Sequence, residues 1–283
     1  MLSLSQLEPV DYLLIGHLTR DLTPEGDRLG GTVAYAALTA FAMEKRVGIV
    51  TSWGNEFPLD PYLGTLPLVN VPTMHSTTFE NRETSHGRIQ TISNLASSLD
   101  INQIPDSWKN TPIVHLAPIA QEVEPSIIRH FPSSMICITP QGWLREWDQS
   151  GFISMAEWPE ASFVLERAGA TVLSFEDVHH DEARIDEMVT ASQLLVVTEG
   201  AKGGRVYWNG DVRRFRAPKV SVVDPVGAGD IFATAFFIRY QKTRNPWEAA
   251  RFATQLASQS VTRVGMEGIP TADEINSTLI EVL

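Results

Sequence analysis

Asp224-Pro225-Val226-Gly227-Ala228-Gly229-Asp230 runs straight into Ile231-Phe232-Ala233-Thr234-Ala235-Phe236-Phe237-Ile238. An acid opens the stretch, two glycines flank an alanine, and a second acid begins a long apolar run. Small residues at 227 to 229 let the backbone come close to a ligand. A helix beginning here aims its unpaired N–H groups and the positive end of its dipole at whatever lies in front, an anion site suited to phosphate. Asp230, at the same helix mouth, is placed to take a proton from a hydroxyl. An anion hole beside a carboxylate base is what phosphoryl transfer to an alcohol requires. The plainer alternative is an acid-capped helix after a glycine turn. The complete DxxGAGD string before a helical run favours the site.

Working outward, 283 residues with 43% hydrophobic content support one large α/β domain with a full core, or two small ones. The 22 basic and 34 acidic residues give a net charge of −12 without a basic tract, so nucleic acid is not an expected partner. An acidic protein still binds nucleotide phosphates where local amides and Mg²⁺ hold them. Cys137 is the sole cysteine and sits in the apolar run Met135-Ile136-Cys137-Ile138. That excludes an internal disulfide and a cysteine zinc cluster, and suits a reducing compartment. No apolar run is long enough to span a bilayer, and Glu8 and Asp11 do not fit a basic-then-apolar signal segment. A cytoplasmic location with no membrane partner is expected.

Upstream, Asp11 to Gly16 reads as a buried strand, and Asp21 follows either as a loop acid or as a carboxylate at a strand's ligand-binding end. Gly30-Gly31 precedes Thr32 to Ala42, a helix of small residues whose start can lie against a ligand. Arg46 to Ser52 is a second core strand, and residues 54 to 72, rich in Gly and Pro, read as irregular. Thr77 to Asn81 and His86 to Ile92 form paired strands around a polar turn at Arg82 to Ser85. Ile113 to Leu116, a helical pattern over Val123 to Phe131, and Met135 to Ile138 imply a right-handed crossover and a parallel sheet. Gln141 and Arg145 follow, either facing substrate or, for Arg145, solvated or paired with Asp148. Thr171 to Asp177 is a strand entering polar residues, where Ser174, Glu176 or Asp177 can cap the turn holding His179 and His180. The adjacent histidines read as surface residues. Leu194 to Gly204 is a strand breaking into a glycine-rich turn, followed by strands over Arg205 to Trp208 and Val212 to Phe215, whose arginines read as a solvated face. Trp247 to Val264 and Thr271 to Leu283 are helices. No GxxxxGK[ST] string is present and no GxGxxG follows a strand, so neither a P-loop nor a dinucleotide fold is supported.

The order Asp21, Gly30-Gly31, residues 174 to 177, residues 198 to 203 and residues 224 to 230 resembles the ribokinase (phosphofructokinase-B-like) family of carbohydrate kinases over nearly the whole chain. The resemblance implies an α/β fold, a three-layer αβα sandwich with a mostly parallel central sheet and a short β-lid. It implies one domain over 1–283, with lid strands from about 17–30 and 72–95. It implies transfer of the γ-phosphoryl of ATP to a hydroxyl of a small sugar or cyclic polyol, with Asp230 as base and the amides of Gly227, Ala228 and Gly229 as the anion hole. Asp21, Gly30 and Gly31 would hold the acceptor. Thr198, Gly200 and Gly203, in the segment T-x-G-x-x-G, would border the nucleotide together with Ser174. Asp177 and Glu176 would support Mg²⁺ through water, and Asp224 lies near where relatives bind K⁺.

Departures from the family pattern are specific. Pro225 and Thr234 are unusual at their places. Ser174 and Asp177 stand where relatives often carry Asn and Glu, and Tyr35 where an Asn often touches the sugar. A phenol ring there favours a small pocket and a ring-shaped acceptor such as a hexose, pentose or inositol over a nucleoside. Two alternatives remain from the sequence: a nucleoside kinase of the same fold, and a non-catalytic ligand-binding regulator. A monomer or a homodimer is expected.

Overall fold

A computed structural model describes residues 7–280 apart from 25, 55, 57, 60–62, 85 and 86. Ser85 of the expected lid turn, His86 of the strand expected after it, and residues 281–283 of the last expected helix lie outside the described residues. Along the chain the strands are β1 (Tyr12–Ile15), β2 (Thr19–Thr23), β3 (Gly26–Gly30), β4 (Val47–Ser52), β5 (Leu68–Val71), β6 (Thr77–Thr84) and β7 (Gly87–Asn94). They continue with β8 (Ile113–Leu116), β9 (Met135–Ile138), β10 (Arg145–Trp147), β11 (Ile153–Met155), β12 (Ala170–Ser174), β13 (Leu194–Thr198), β14 (Gly204–Trp208) and β15 (Asp211–Phe215). The helices are α1 (Thr32–Ala42), α2 (Ala161–Leu165), α3 (Glu182–Ala191), α4 (Ala228–Thr243), α5 (Pro246–Ser260) and α6 (Ala272–Ile280).

The central sheet has the order β15-β14-β13-β12-β9-β8-β1-β4-β5. From β13 to β5 every neighbouring pair is parallel, and β14 and β15 add an antiparallel edge. Its inner strands are continuous apolar runs because both faces are covered. In β1, Tyr12 and Leu14 join one core with α1, α4 and α5, while Leu13 and Ile15 join the other, against α3 and the 3₁₀ turns. The strand's period of two divides one tetrapeptide between two cores. Two of the polar groups enclosed in the sheet are paired in a chain: Tyr12 Oη meets His115 Nδ1 at 3.0 Å, and His115 Nε2 meets Thr139 Oγ1 at 3.0 Å. Cys137 is buried and unbonded to any partner cysteine.

Two expectations are corrected. The crossover from β8 to β9 carries a 3₁₀ turn, Pro125–His130, in place of a helix over Val123 to Phe131. Pro125 starts it and Ile127 and Ile128 are β-branched, a composition weak in α-helix propensity. The stretch 54 to 72 is not wholly irregular, since Leu68–Val71 pairs in parallel with Ile49–Ser52 at the sheet edge.

A second sheet, β3-β2-β6-β7, stands off the first as the lid. Its outer pairs are antiparallel and β2 runs parallel to β6. The hairpin β10–β11 leans on it through a bridge between Thr91 and Phe152 and an Ile92 N–H to Gly151 O bond of 2.9 Å. Nothing in the sequence pattern pointed to this hairpin.

Candidate active site

A cavity of about 1060 Å³ lies outside the carboxyl ends of the parallel strands, under the lid. That is where open α/β sheets bind ligands. Two helices open onto it with a glycine as N-cap and no side-chain cap: α1 at Gly31 (φ 85°) and α4 at Gly227 (φ 78°). Positive φ is unstrained only for glycine here. In α4 the first helical hydrogen bond is Ile231 N–H to Gly227 O at 2.9 Å, so the N–H groups of Gly229 and Asp230 precede the ladder. Ala228 N–H already reaches Pro225 O at 3.3 Å, which leaves Gly229 the better anion donor of the two.

Asp230 lines the cavity, half-buried, in the first turn of α4. Burial pushes its carboxyl up to about 6; a hydrogen bond from the Thr32 hydroxyl lowers it, Asp177 raises it, Arg145 lowers it and Asp21 raises it. Water in the cavity tempers that shift, since the carboxyl faces it. A carboxylate titrating near the working pH is matched to general-base work. Thr32, 3% exposed at the start of α1, was not singled out by sequence, because only packing of α1 against α4 brings its hydroxyl to Asp230.

The structure brings most of the expected residues to this cavity. Asp21, Gly31, Tyr35, Ser174, Glu176, Asp177, Thr198, Gly200, Gly203, Gly227, Ala228, Gly229 and Asp230 all line it. Asp21 sits on lid strand β2, not at the end of a central strand, and its Oδ1 accepts from Thr19 Oγ1 at 2.9 Å. Gly30 does not line the cavity; a Cβ there would fall on the Asp21 carboxylate, so the glycine makes room for that acid. Tyr35 is 3% exposed. Burial and the neighbouring Asp230, Asp224 and Asp21 hold its phenol well above the usual range, so it stays protonated among acids.

Ser174 and Asp177 form a reciprocal cap. The Ser174 N–H donates to Asp177 Oδ2 at 2.9 Å, and Glu176 N–H donates to Ser174 Oγ at 3.2 Å. Gln141 Nε2 donates to Asp177 Oδ1 at 2.9 Å, so Gln141 steadies this acid across the cavity wall. Asp224 does not line the cavity. Its Oδ1 accepts Val226 N–H at 3.0 Å and its Oδ2 accepts Gly265 N–H at 2.9 Å, fastening the glycine turn to the loop after α5. Arg145, which the sequence left either facing substrate or solvated or paired with Asp148, lines the cavity, donates to Ile119 O at 3.3 Å and lies 5.8 Å from the centroid of the Phe79 ring. Asp148 instead bonds Ser150 and Phe152 in its own turn.

The cavity has two ends. Beyond the α4 turn it is walled by Phe215, Pro218, Val220, Val226, Ala257 and Val261, an apolar trough with Thr198 and Gly203 at its edge. Under the lid it is walled by Phe79, Ile119, Leu144, Phe152 and Ile153, with Asp21, Asn81, Gln90 and Arg145 among them. Gln90 Nε2 donates to Asn81 Oδ1 at 2.9 Å across β6 and β7. Among the described residues no three or more His, Cys, Asp or Glu gather to hold a metal ion by themselves.

An open parallel α/β sheet, a β-lid and a two-ended cavity over a glycine-capped helix define a ribokinase-like kinase fold. Comparison with known proteins agrees. Residues 153–272 match the model of the pfkB family carbohydrate kinases. A cytidine kinase of Thermococcus kodakarensis is 26% identical over 276 residues, covering 90% of this chain and 98% of that protein. A pyrophosphate-dependent kinase of the ribokinase family, complexed with a pyrophosphate analog and myo-inositol, superposes with a TM-score of 0.76 at 16% identity, over 91% of this chain and 98% of that one. Arabidopsis thaliana ribokinase complexed with ribose and ATP superposes with a TM-score of 0.73 at 16% identity, over 96% and 99%. The chain thus shares the fold of ribokinase-family kinases over nearly its whole length, and residues 153–272 are similar in sequence to the pfkB carbohydrate kinases. Among the described residues no helix is long and apolar enough to cross a membrane.

Proposed function

We propose that the protein transfers the γ-phosphoryl of ATP to a hydroxyl on the ribose of a nucleoside. The carrying observation is the lid end of the cavity, where Phe79, Ile119, Leu144, Phe152 and Ile153 surround a polar strip of Asp21, Asn81 and Gln90. A free polyol has hydroxyls on every side and little surface for such walls. A nucleoside supplies a flat base whose faces suit the apolar walls and whose polar edge suits Asn81 and Gln90, and sugar hydroxyls for Asp21, which accepts hydrogen bonds from neighbouring hydroxyls. The end-to-end similarity to a cytidine kinase supports the same ranking. The sequence alone had favoured a sugar or cyclic polyol. That reading stands second, supported by the myo-inositol and ribose complexes of the structural neighbours.

In this reading Asp230 takes the acceptor proton while the open N–H groups of the α4 turn stabilise charge on the moving phosphoryl group. The apolar trough from Phe215 to Val261 receives the adenine. Asp177 and Glu176 fit Mg²⁺ held through water, because Mg²⁺ keeps several waters and takes few protein ligands; the ion would neutralise the phosphates. Asp224 would be the acid nearest a K⁺; each of its oxygens already accepts one N–H, and a carboxylate oxygen keeps a second lone pair for a cation. A turnover screen with Mg·ATP over cytidine, uridine, adenosine, ribose and myo-inositol tests the proposal. Cytidine or another nucleoside should give the highest kcat/KM; ribose or myo-inositol leading would move the reading to its second form.

A further inference from the structure

Two buried side chains tie the lid to the body. Glu122 is 3% exposed. Its Oε1 accepts His17 N–H at 2.9 Å, its two oxygens accept Ile119 N–H at 3.1 and 3.0 Å, and its Oε2 accepts Ala120 N–H at 2.7 Å. His17 is fully buried between β1 and β2, where the chain leaves the body for the lid. Its Nε2 lies 2.8 Å from Ser97 O and its Nδ1 2.7 Å from Thr77 Oγ1. A carbonyl only accepts, so Nε2 carries the proton and Nδ1 accepts from the Thr77 hydroxyl. Thr77 Oγ1 in turn accepts Ala96 N–H at 3.0 Å. Entry to β2, entry to β6 and exit from β7 therefore meet in one knot. Ile119, held by the same carboxylate, lines the acceptor end of the cavity.

We infer that Glu122 is a positioning residue for the acceptor: through His17 and Thr77 it fixes where the lid meets the body, and through Ile119 it fixes the wall below. Only a carboxylate serves here. Three amide N–H groups converge on two oxygens, and an amide in its place would turn an N–H₂ toward other N–H groups. None of the knot's bonds reaches the donor end, so the effect falls on the acceptor alone. The knot acts on whichever acceptor the cavity takes; only the kinetic half of its test rests on the proposed activity.

Hydrogen exchange on Glu122→Gln and Thr77→Val, with Thr77→Ser as the control that restores the hydroxyl, reads the lid directly. Exchange of the β6 and β7 amides should quicken about tenfold in the first two variants, with α5 unchanged and Thr77→Ser like wild type. With cytidine as acceptor probe, acceptor KM should rise about tenfold while ATP KM stays within about twofold. Unchanged lid exchange overturns the inference, as does an equal rise in both KM values. If wild type turns over no acceptor, the kinase reading falls and the exchange result alone decides this one. If Glu122→Gln fails to fold, Thr77→Val carries the same comparison.

Discussion

The ring of Tyr35 occupies the space where a Cβ on residue 227 would stand: that atom would fall on Cγ, Cδ1 and Cε1 of the ring. The aromatic thus forms the floor of the glycine turn that begins α4. Gly227→Ala combines this overlap with a left-handed backbone at φ 78°. It should lower kcat by about 10- to 100-fold through misplaced amides, and reduce Tm. Tyr35→Phe keeps the floor and should hold kcat within about twofold. Tyr35→Asn should lower Tm, because a buried aromatic is lost, and leave the ranking of acceptors alone. A changed ranking with an unaltered Tm would show that the ring touches the acceptor instead.

Asp230→Asn should lower kcat by roughly 10²- to 10⁴-fold, the range for removing a general base. The same variant should gain stability at pH 7. The folded-state value near 6 lies above the ordinary carboxyl value of 3.8, so the folded protein binds that proton more tightly than the unfolded chain. Stability from this group is full below about 4 and is lost as pH rises through about 6. Removing the charge should therefore recover roughly 1–3 kcal/mol, discounted for water in the cavity. Urea unfolding of the two proteins at pH 7 checks the sign; a less stable variant would contradict the burial argument.

The pH profile of kcat/KM should fall on the acid side with an apparent pKa near 6, where Asp230 takes up its proton. Thr32→Val removes a hydrogen bond that favours the ionised carboxylate, so the acid limb should move to higher pH. A limb that stays in place would separate Thr32 from the base.

Asp177→Ala should raise the Mg²⁺ concentration needed for half-maximal rate more than it changes acceptor KM. The competing role is visible: Asp177 caps its own turn and holds Gln141. An unchanged Mg²⁺ requirement with a lower Tm would assign the residue to the turn alone.

Much of this is legible in the sequence itself. Asp230 and its glycine turn are a local string, and local strings carry local geometry. The continuous apolar runs of the inner strands announced a sheet covered on both faces. The misses share a cause. Thr32 and Arg145 reach Asp230, and Glu122 reaches His17, across separations that only packing closes. Strand β5 hides among Gly and Pro residues because only one neighbour, β4, fixes it. The β10–β11 strands are three residues each, too short to show an alternation. Tyr35, placed at the acceptor by family resemblance, does line the cavity, and its further place beneath Gly227 depends on how α1 meets α4.

The open edge at β15 has its own consequence. Its Arg213 guanidinium lies 4.3 Å from the Trp247 ring centroid on one face, and Arg214 reaches toward Glu199, 3.7 Å away, on the other. Two copies approaching edge to edge in antiparallel fashion with their β15 strands aligned would bring like charges from these arginines close together. Another strand adding to the ladder would meet a cation on each face. This edge thereby resists growing by recruitment of its own kind, a safeguard against fibrous association at β15 that resides in two side chains and no loop.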